Sequence, residues 1–297
     1  MTETDPAPET PDLRDRLANG AFLALMAVAR VLPYRLRIPA MGWFFARVLG
    51  PLAGWRRRIR ANLALARPDL SPREVRRLCR EVPDNAGRSL AEIYAGDEFT
   101  ARIHRRDPLT GPGVAALEQA AQAGRPVILA VAHFGNYDAM RAAMVGRGWP
   151  VGALYRPMNN AAFNRHYIPA MRAIAEPMFP RGRAGLAAML RFLKGGGFLS
   201  LGFDQFDDRG TELRFFGLPT RTVLTPAELA LRYDALIVPV AGIRQPDGLS
   251  FRVEVGAPVP HGDAAAMMQQ LNDDLEARVR AHMAQWFWVH RRWKRRG

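Results

Sequence analysis

The chain has 297 residues, of which 48% are hydrophobic, and 42 Lys and Arg against 28 Asp and Glu give a net charge of +14. This length and composition suffice for one large domain or for one domain with an added segment, and the charge predicts an anionic partner: nucleic acid, acidic lipid or a phosphorylated substrate. The single cysteine, Cys79, excludes an intramolecular disulfide and a metal cluster held by several thiolates.

Residues 1–16 are acidic and rich in Pro and Thr, which predicts a disordered tail without a secretory signal. Residues 17–60 contain two apolar runs, Leu17–Val31 and Ile38–Trp55, each with one charged residue. Both are shorter than the roughly 20 apolar residues of a spanning helix. We expect membrane-associating helices here, since aromatic residues and an arginine cluster accompany the runs. A pair of buried core helices is the alternative. The cluster contains Arg56, Arg57, Arg58 and Arg60.

Residues 61–297 are expected to form the main domain, which begins with helices. Ser71 is a predicted N-cap with Glu74 as its capping-box partner, and Pro83 should kink or break the helix that follows. Gly111–Gly124 fits a further helix.

The stretch from Val127 to Ala132 is apolar and has the length of a strand buried on both faces. Polar residues follow at once, and the next segment has the pattern of a helix. His133 is therefore predicted at the carboxyl end of a strand and Asp138 in the first turn of a helix. Ligands of open α/β sheets bind at this position.

The spacing between His133 and Asp138 suits acid–base chemistry, because a carboxylate beside an imidazole stabilises the imidazolium and orients the ring. The second ring nitrogen is then free to accept a proton from a substrate hydroxyl. The N–H groups of Gly135 and Asn136 are candidates to bind a developing oxyanion. The alternative is an N-capping aspartate beside an ordinary loop histidine.

Strands and helices alternate from about residue 110 to residue 240, which predicts an α/β fold with a mostly parallel central sheet flanked by helices. The expected strands after the central stretch are Val151–Tyr155, Glu176–Phe179, Phe198–Phe203, Leu236–Ala241 and Phe251–Val255. The expected helices are Ala161–Ile174 with an interruption at Pro169, Ala184–Leu193, one N-capped by Thr225, and a long final helix that includes Trp286.

Polar residues follow three other predicted strands, and in a parallel sheet such strand ends converge on one edge. Arginines are suited to binding an anionic substrate by bidentate hydrogen bonds, and Asp204 to positioning an arginine or the substrate. Taken singly, each is also consistent with a solvated residue or a turn. The candidates are Arg156, Arg181, Arg183, Asp204 and Gln205.

The C-terminal segment, QWFWVHRRWK from Gln285 to Lys294, interleaves aromatic and basic residues. This pattern is typical of nucleic-acid stacking and equally of a helix at a membrane surface. No nucleic-acid-binding motif accompanies it, and His290 is interpreted as structural or as a surface residue.

Several motifs occur together in one order: HFGNYD from His133 to Asp138, Tyr155-Arg156-Pro157, the Arg181-Gly182 turn, Asp204-Gln205, Val238-Pro239-Val240 and the aromatic-basic tail. This order resembles the lipid A biosynthesis lauroyl/myristoyl acyltransferases of the lysophospholipid and glycerolipid acyltransferase superfamily. The resemblance extends from about Leu17 to Lys294.

The resemblance implies that His133 and Asp138 are catalytic and that Arg156, or less securely Arg172, contacts substrate, with Asp204 matching a family aspartate. It implies acyl transfer from an acyl-carrier-protein thioester to a lipid A precursor at the cytoplasmic face of a bacterial inner membrane, with anionic lipid as a further partner and no cofactor or metal. Another glycolipid, a lysophospholipid or an ornithine lipid is an alternative acceptor. A noncatalytic lipid-binding or nucleic-acid-binding protein is the rival class.

Overall fold

The computed structural model describes residues 12–294. Its N-terminal part is helical, as predicted, and α1 begins at Leu13, four residues before the expected start. The rest of the predicted tail, residues 1–11, lies outside the described residues. The helices are α1 (Leu13–Val31), α2 (Tyr34–Phe44), a π-helical turn (Phe45–Leu49), α3 (Gly50–Leu52), α4 (Trp55–Ala66), α5 (Pro72–Ile93) and α6 (Asp97–His104).

A seven-stranded sheet forms the centre of the molecule, in the order β1-β9-β8-β2-β5-β3-β4. Neighbouring strands run parallel except β8 and β9, which are antiparallel, so the predicted α/β fold with a mostly parallel sheet is confirmed. The strands are β1 (Leu109–Thr110), β2 (Val127–Val131), β3 (Val151–Tyr155), β4 (Met178–Pro180), β5 (Phe198–Gly202), β8 (Leu236–Arg244) and β9 (Phe251–Val255).

A separate antiparallel hairpin, β6 (Thr211–Phe215) and β7 (Leu218–Thr222), follows β5. The remaining helices connect the strands and cover both faces of the sheet. They are α7 (Val114–Ala123), α8 (Tyr137–Gly146), α9 (Ala161–Ile174), α10 (Arg183–Lys194), α11 (Thr225–Arg232) and α12 (Ala264–Ala281), followed by a 3-10 turn (Met283–Gln285).

Strand β2 is buried on both faces, and its alternate side chains belong to two different cores. Ile128 and Ala130 face the core that contains residues of α10, α11 and α12. Val127 and Leu129 face the core that contains residues of α8 and the N-terminal helices. This alternation has the two-residue period of a strand, and it explains why the sequence of β2 is continuously apolar.

The two N-terminal apolar runs differ in their surroundings. Helix α2 buries Ile38 and Met41 against α5, which is the core-helix alternative for part of the second run. Helix α1 instead leaves a stripe of large apolar side chains exposed: Leu17 is 66% exposed, Val28 69% and Val31 84%. Within residues 12–294, no helix combines the length and the apolar character required to cross a bilayer.

Three local predictions have clear outcomes. The capping box of Ser71 and Glu74 is confirmed. Pro83 lies inside the continuous helix α5, so the predicted break is wrong. The N-cap of α11 is Leu224 rather than Thr225, which is the first helical residue.

Candidate active site

His133 follows β2, and Asp204 follows the adjacent parallel strand β5, so the sheet brings them to the same edge. The Nδ1 atom of His133 lies 2.8 Å from Oδ1 of Asp204. A carboxylate only accepts hydrogen bonds, so Nδ1 carries the proton and Nε2 presents a free lone pair. The His133 side chain is 36% exposed, whereas the Asp204 side chain is fully buried.

Asp204 is a buried carboxylate with three donors. Besides the His133 ring, it accepts hydrogen bonds from the His133 backbone N–H and from Nε1 of Trp286, both at 2.9 Å. Burial raises the pKa of Asp204, but His133 and these hydrogen bonds outweigh it and leave the pKa well below its ordinary value. Burial lowers the pKa of His133, and the Asp204 charge reverses this and raises it. The pair is therefore arranged to stabilise an imidazolium.

The structure corrects the predicted partner of His133. Asp138 is buried and forms an ion pair with Arg141, three residues further along α8. Arg141 also donates to the carbonyl oxygens of Met171 and Ala175 at the end of α9. Asp138 thus helps to join two helices, and the carboxylate hydrogen-bonded to the His133 ring is Asp204. The spacing between His133 and Asp138 was misleading, because a residue in a loop need not face a residue on the helix that follows it. The carboxyl ends of adjacent parallel strands, by contrast, lie side by side, and these ends carry His133 and Asp204.

The predicted oxyanion donors are already engaged. The N–H of Gly135 donates to the carbonyl oxygen of Gln285 at 2.8 Å, and that of Asn136 donates to Gly242 at 2.9 Å. Gly135 has a φ of +58°, and a Cβ there would lie 1.9 Å from the Gly242 oxygen. These hydrogen bonds require the close backbone approach that only glycine permits. The Gly135–Asn136 turn is a fixed support beside His133 rather than a free anion site.

A buried polar cluster holds the other side of this turn. The side-chain amide of Asn136 donates to Oε2 of Glu92 at 2.7 Å, and Glu92 forms an ion pair with Arg244. Both charged side chains are almost fully buried, at 0% and 7% exposure. Ser89 donates its hydroxyl to the Gly135 carbonyl oxygen at 3.1 Å. The sequence analysis did not find this cluster, because its members are far apart in the chain.

Two further polar side chains lie on the open side of the His133 ring. The amide nitrogen of Gln205 is 3.4 Å from Nε2 of His133 and 3.3 Å from Nε2 of His290. The two imidazole rings are 4.5 Å apart between centroids. Burial and the neighbouring His133 charge lower the pKa of His290 to about 4, so its ring stays neutral. The interpretation of His290 as structural or as a surface residue did not include its position beside His133.

The aromatic-basic tail is part of the core, which contradicts both predicted surface roles. Trp286 and Trp288 are fully buried and pack edge to face against each other. Arg292 is also fully buried, and it donates to the carbonyl oxygen of Gln205 at 2.9 Å. Helix α12 ends at Ala281, so Trp286 lies beyond the final helix. Buried indoles cannot stack on bases or lie among headgroups. Here Trp286 donates to the carboxylate of Asp204, and Arg292 holds the backbone of Gln205.

The predicted substrate arginines lie on the same sheet edge but farther from His133. Arg156 follows β3 and Arg181 follows β4, whose residues Tyr155 and Pro180 are paired. These strands are two and three places from β2, hence about 10–15 Å away at the usual strand spacing. Arg156 and Arg181 are exposed, as is Arg183 at the start of α10. Arg172 on α9 forms an ion pair at 3.5 Å with Glu176, which follows the helix, and it is therefore the weaker candidate for binding substrate.

A cavity of about 400 Å³ lies between α1, α9 and the end of α5. Its lining is mainly apolar, with Leu23 and Met26 from α1, and Arg30 and His166 are among its polar members. Tyr94 also lines it and is linked to the active-site edge through aromatic rings: Tyr94 lies 6.3 Å from Tyr167, which is hydrogen-bonded to Tyr137. Tyr137 in turn lies 6.0 Å from His133.

The fold and this edge define an α/β protein with a partly exposed histidine that is held by a buried carboxylate and faces the amide of Gln205 at Nε2. The model of the bacterial lipid A biosynthesis acyltransferase family matches residues 14–295. The chain therefore belongs to that family, which confirms the resemblance stated from its motifs.

Curated relatives are distant. A phosphatidylinositol mannoside acyltransferase of Mycobacterium tuberculosis H37Rv is 26% identical over 185 residues, 61% of this chain and 58% of the relative. The corresponding protein of Mycolicibacterium smegmatis is 25% identical over 72% of this chain and 74% of the relative. A lipid A biosynthesis acyltransferase of Haemophilus influenzae is 23% identical over 86% and 82%. The first alignment thus spans little more than half of the mycobacterial protein.

Proposed function

We propose that this protein is a membrane-associated O-acyltransferase that moves a fatty acyl chain from a thioester donor to a hydroxyl of a glycolipid. The observation that carries the proposal is the hydrogen bond from His133 Nδ1 to the buried Asp204. It leaves Nε2 unprotonated at an exposed sheet edge, where a general base must be. Membership of the family supports the reaction class.

In the proposed mechanism, Nε2 of His133 removes the proton of the acceptor hydroxyl as its oxygen attacks the thioester carbonyl carbon. A C–O bond forms, and the carbonyl electron pair moves onto the oxygen. When the tetrahedral intermediate collapses, the electron pair on the oxygen re-forms the carbonyl bond, the C–S bond breaks and the thiolate leaves with the electron pair of that bond. The imidazolium returns its proton to the sulfur. Asp204 stabilises the imidazolium throughout, and no acyl group needs to be attached to the protein.

The positions of the arginines support an acceptor with anionic groups at a distance from the reacting hydroxyl. Arg156 and Arg181 lie about 10–15 Å along the edge from His133, a span that suits a disaccharide or a larger headgroup. We propose that they bind phosphates of a lipid A precursor or of a related glycolipid. The mycobacterial relatives are named for a phosphatidylinositol mannoside, so a mannosylated lipid is the second acceptor to test.

We further propose that the cavity beside α1 holds an acyl chain, because its walls are apolar and its aromatic residues lead toward His133. Acyl carrier protein is the proposed donor, and its acidic surface would suit a chain of net charge +14. The exposed stripe on α1 supports attachment to the cytoplasmic face of the inner membrane, together with anionic lipid.

The test is acyl transfer by purified protein in lipid vesicles, with dodecanoyl thioesters of acyl carrier protein and of coenzyme A. A lipid A precursor, a phosphatidylinositol mannoside, an ornithine lipid and a lysophospholipid serve as acceptors, and products are identified by mass spectrometry. We expect transfer to a glycolipid, with His133→Ala slower by at least about a hundredfold.

Arg156→Ala is expected to raise KM for the acceptor while KM for the donor stays constant. His261→Ala is the matched control for His133→Ala, because His261 hydrogen-bonds to the carbonyl oxygen of Ala235, away from this edge. A folded His133→Ala protein with near-normal transfer, or a wild-type protein that binds lipid or nucleic acid without any transfer, would overturn the proposed function.

A further inference from the structure

We propose that the side-chain amide of Gln205 is the donor that binds the oxyanion of the tetrahedral intermediate, and that His290 holds this amide in place until substrate arrives. The inference rests on the proposed function, because it assigns a role within that reaction.

The proposed reaction needs a hydrogen-bond donor for the oxyanion, and the backbone N–H groups expected to serve are already engaged. The N–H groups of His133, Gly135 and Asn136 donate to Asp204, Gln285 and Gly242, respectively. The developing oxyanion must be bound by another group, since an unstabilised oxyanion costs several kcal/mol of barrier height.

Other side-chain donors near the base are less suitable. Tyr137 lies beside the His133 ring, but its hydroxyl is hydrogen-bonded to Tyr167. Arg156 lies two strands away, about 10 Å along the edge. Among the described residues, Gln205 is the one whose side-chain N–H lies within hydrogen-bond range of His133 Nε2.

The amide of Gln205 lies where the acceptor hydroxyl has to bind. The amide nitrogen of Gln205 is 3.4 Å from Nε2 of His133, the atom that must accept the hydroxyl proton, so the substrate displaces the amide. The oxyanion and the attacking oxygen are bonded to the same carbon, so a shift on the order of one hydrogen-bond length, about 3 Å, brings the amide to the oxyanion.

The surroundings of Gln205 allow its side-chain amide to make this shift. The backbone carbonyl oxygen of Gln205 accepts a hydrogen bond from the buried Arg292, and the preceding residue, Asp204, is held by three donors. The Gln205 side chain is exposed, and within residues 12–294 its hydrogen-bond partners are the two imidazoles. The backbone is therefore fixed while the amide is free to rotate.

His290 holds the Gln205 amide in its position before substrate binds. Its neutral ring accepts one amide hydrogen at 3.3 Å, and His133 accepts the other at 3.4 Å. Both hydrogen bonds are long, so their loss upon substrate binding costs little. The charged or titratable groups that act on His290 are His133, Asp204 and Arg292, and the contact at its Nε2 is the amide of Gln205.

The test compares Gln205→Leu, which keeps the shape but removes the donor, with Gln205→Glu, which keeps the shape and presents only acceptors. Gln119→Leu is the matched control, because Gln119 is an exposed glutamine on α7 outside the site. Initial rates are measured with the donor and acceptor that wild type uses, on the plateau of each variant's pH profile.

For Gln205→Leu we expect kcat to fall by about 10²–10³-fold, the usual effect of removing one oxyanion donor, while both KM values stay within about threefold. Gln205→Glu should lose at least as much. Unfolding midpoints should match wild type, because the side chain is exposed.

A kcat of Gln205→Leu equal to or above that of wild type would show that the amide only caps the base and would overturn the inference, as would a loss confined to KM. Neither result would affect the proposed function, which fails only if His133→Ala remains active or wild type transfers no acyl group.

Discussion

Asn62 on α4 holds the backbone of the segment that carries His290: its side-chain amide lies 2.7 Å from the carbonyl oxygen of His290 and 2.7 Å from that of Trp288. Residues far apart in sequence thus meet behind the active site. Helix α4 is continuous across the predicted domain boundary between residues 60 and 61. The N-terminal helices are therefore packed into the body that bears the catalytic edge.

Asn62→Leu should destabilise the protein and slow acyl transfer. The substitution removes this donor from the buried carbonyl oxygen of Trp288 and from the partly buried one of His290. A buried acceptor left without a donor costs about 1–3 kcal/mol. Denaturant unfolding measures the first effect and kcat the second. Ala61→Leu, an exposed change one residue earlier on α4, is the control. Unchanged stability and rate in Asn62→Leu would mean that this contact does not position the segment.

Asp204→Asn should reduce kcat by about 10²–10⁴-fold. The amide has one acceptor oxygen where the carboxylate serves three donors, and it no longer stabilises the imidazolium. Steady-state kinetics with a folded variant provide the measurement. A near-normal kcat would remove Asp204 from the mechanism and return Asp138 as the candidate partner.

The pH dependence of the reaction should follow His133. Its Nε2 must be unprotonated to act as a base, so activity rises as pH increases through the pKa that Asp204 raises. The same raised pKa contributes stability that is present below about pH 6.5, the unfolded value, and is lost as pH rises through the folded value. The stability difference between wild type and His133→Ala should therefore be largest at low pH, and a constant difference from pH 5 to 9 would contradict it.

Asp138→Asn should act mainly on stability. It leaves Arg141 buried without its carboxylate partner, a change that typically costs about 3–5 kcal/mol. The free energy of unfolding should fall by that order, while kcat of the folded fraction falls far less than in Asp204→Asn. If instead kcat collapses at unchanged stability, the histidine and aspartate predicted from the motif act together after all.

The stripe on α1 should bind membrane through apolar contact. A triple variant with Gln at Leu17, Val28 and Val31 should bind vesicles much more weakly, since burying each such side chain is worth about 1.5–3 kcal/mol. High salt should weaken wild-type binding only in part, because salt screens charge but not apolar burial. Leu186→Gln and Leu231→Gln, which alter exposed leucines on α10 and α11, are controls. Equal binding by the triple variant would exclude α1 as the anchor.

Local sequence patterns determined much of the fold. Continuous apolar runs predicted β2, β3 and β5, because strand and helix periods are properties of neighbouring residues. A helical pattern predicted α9 with its observed bounds, but the helix continues through Pro169, where an interruption was expected. The motif order was sufficient to identify the family. The position of His133 at a strand end was also determined locally, since a polar residue directly follows an apolar run.

Only the tertiary structure decided which groups surround His133. Asp204 reaches it because β5 pairs with β2, and His290 because the tail is buried behind α4. Neither pairing follows from spacing along the chain, which led to Asp138 instead. The aromatic tail illustrates the same limit: its composition suits a surface as well as a core, and the packing of Trp286 and Trp288 against Phe215 and Phe216 makes it core. Short-range order is encoded by neighbours in sequence, whereas a catalytic edge is assembled from residues that become neighbours only when the sheet forms.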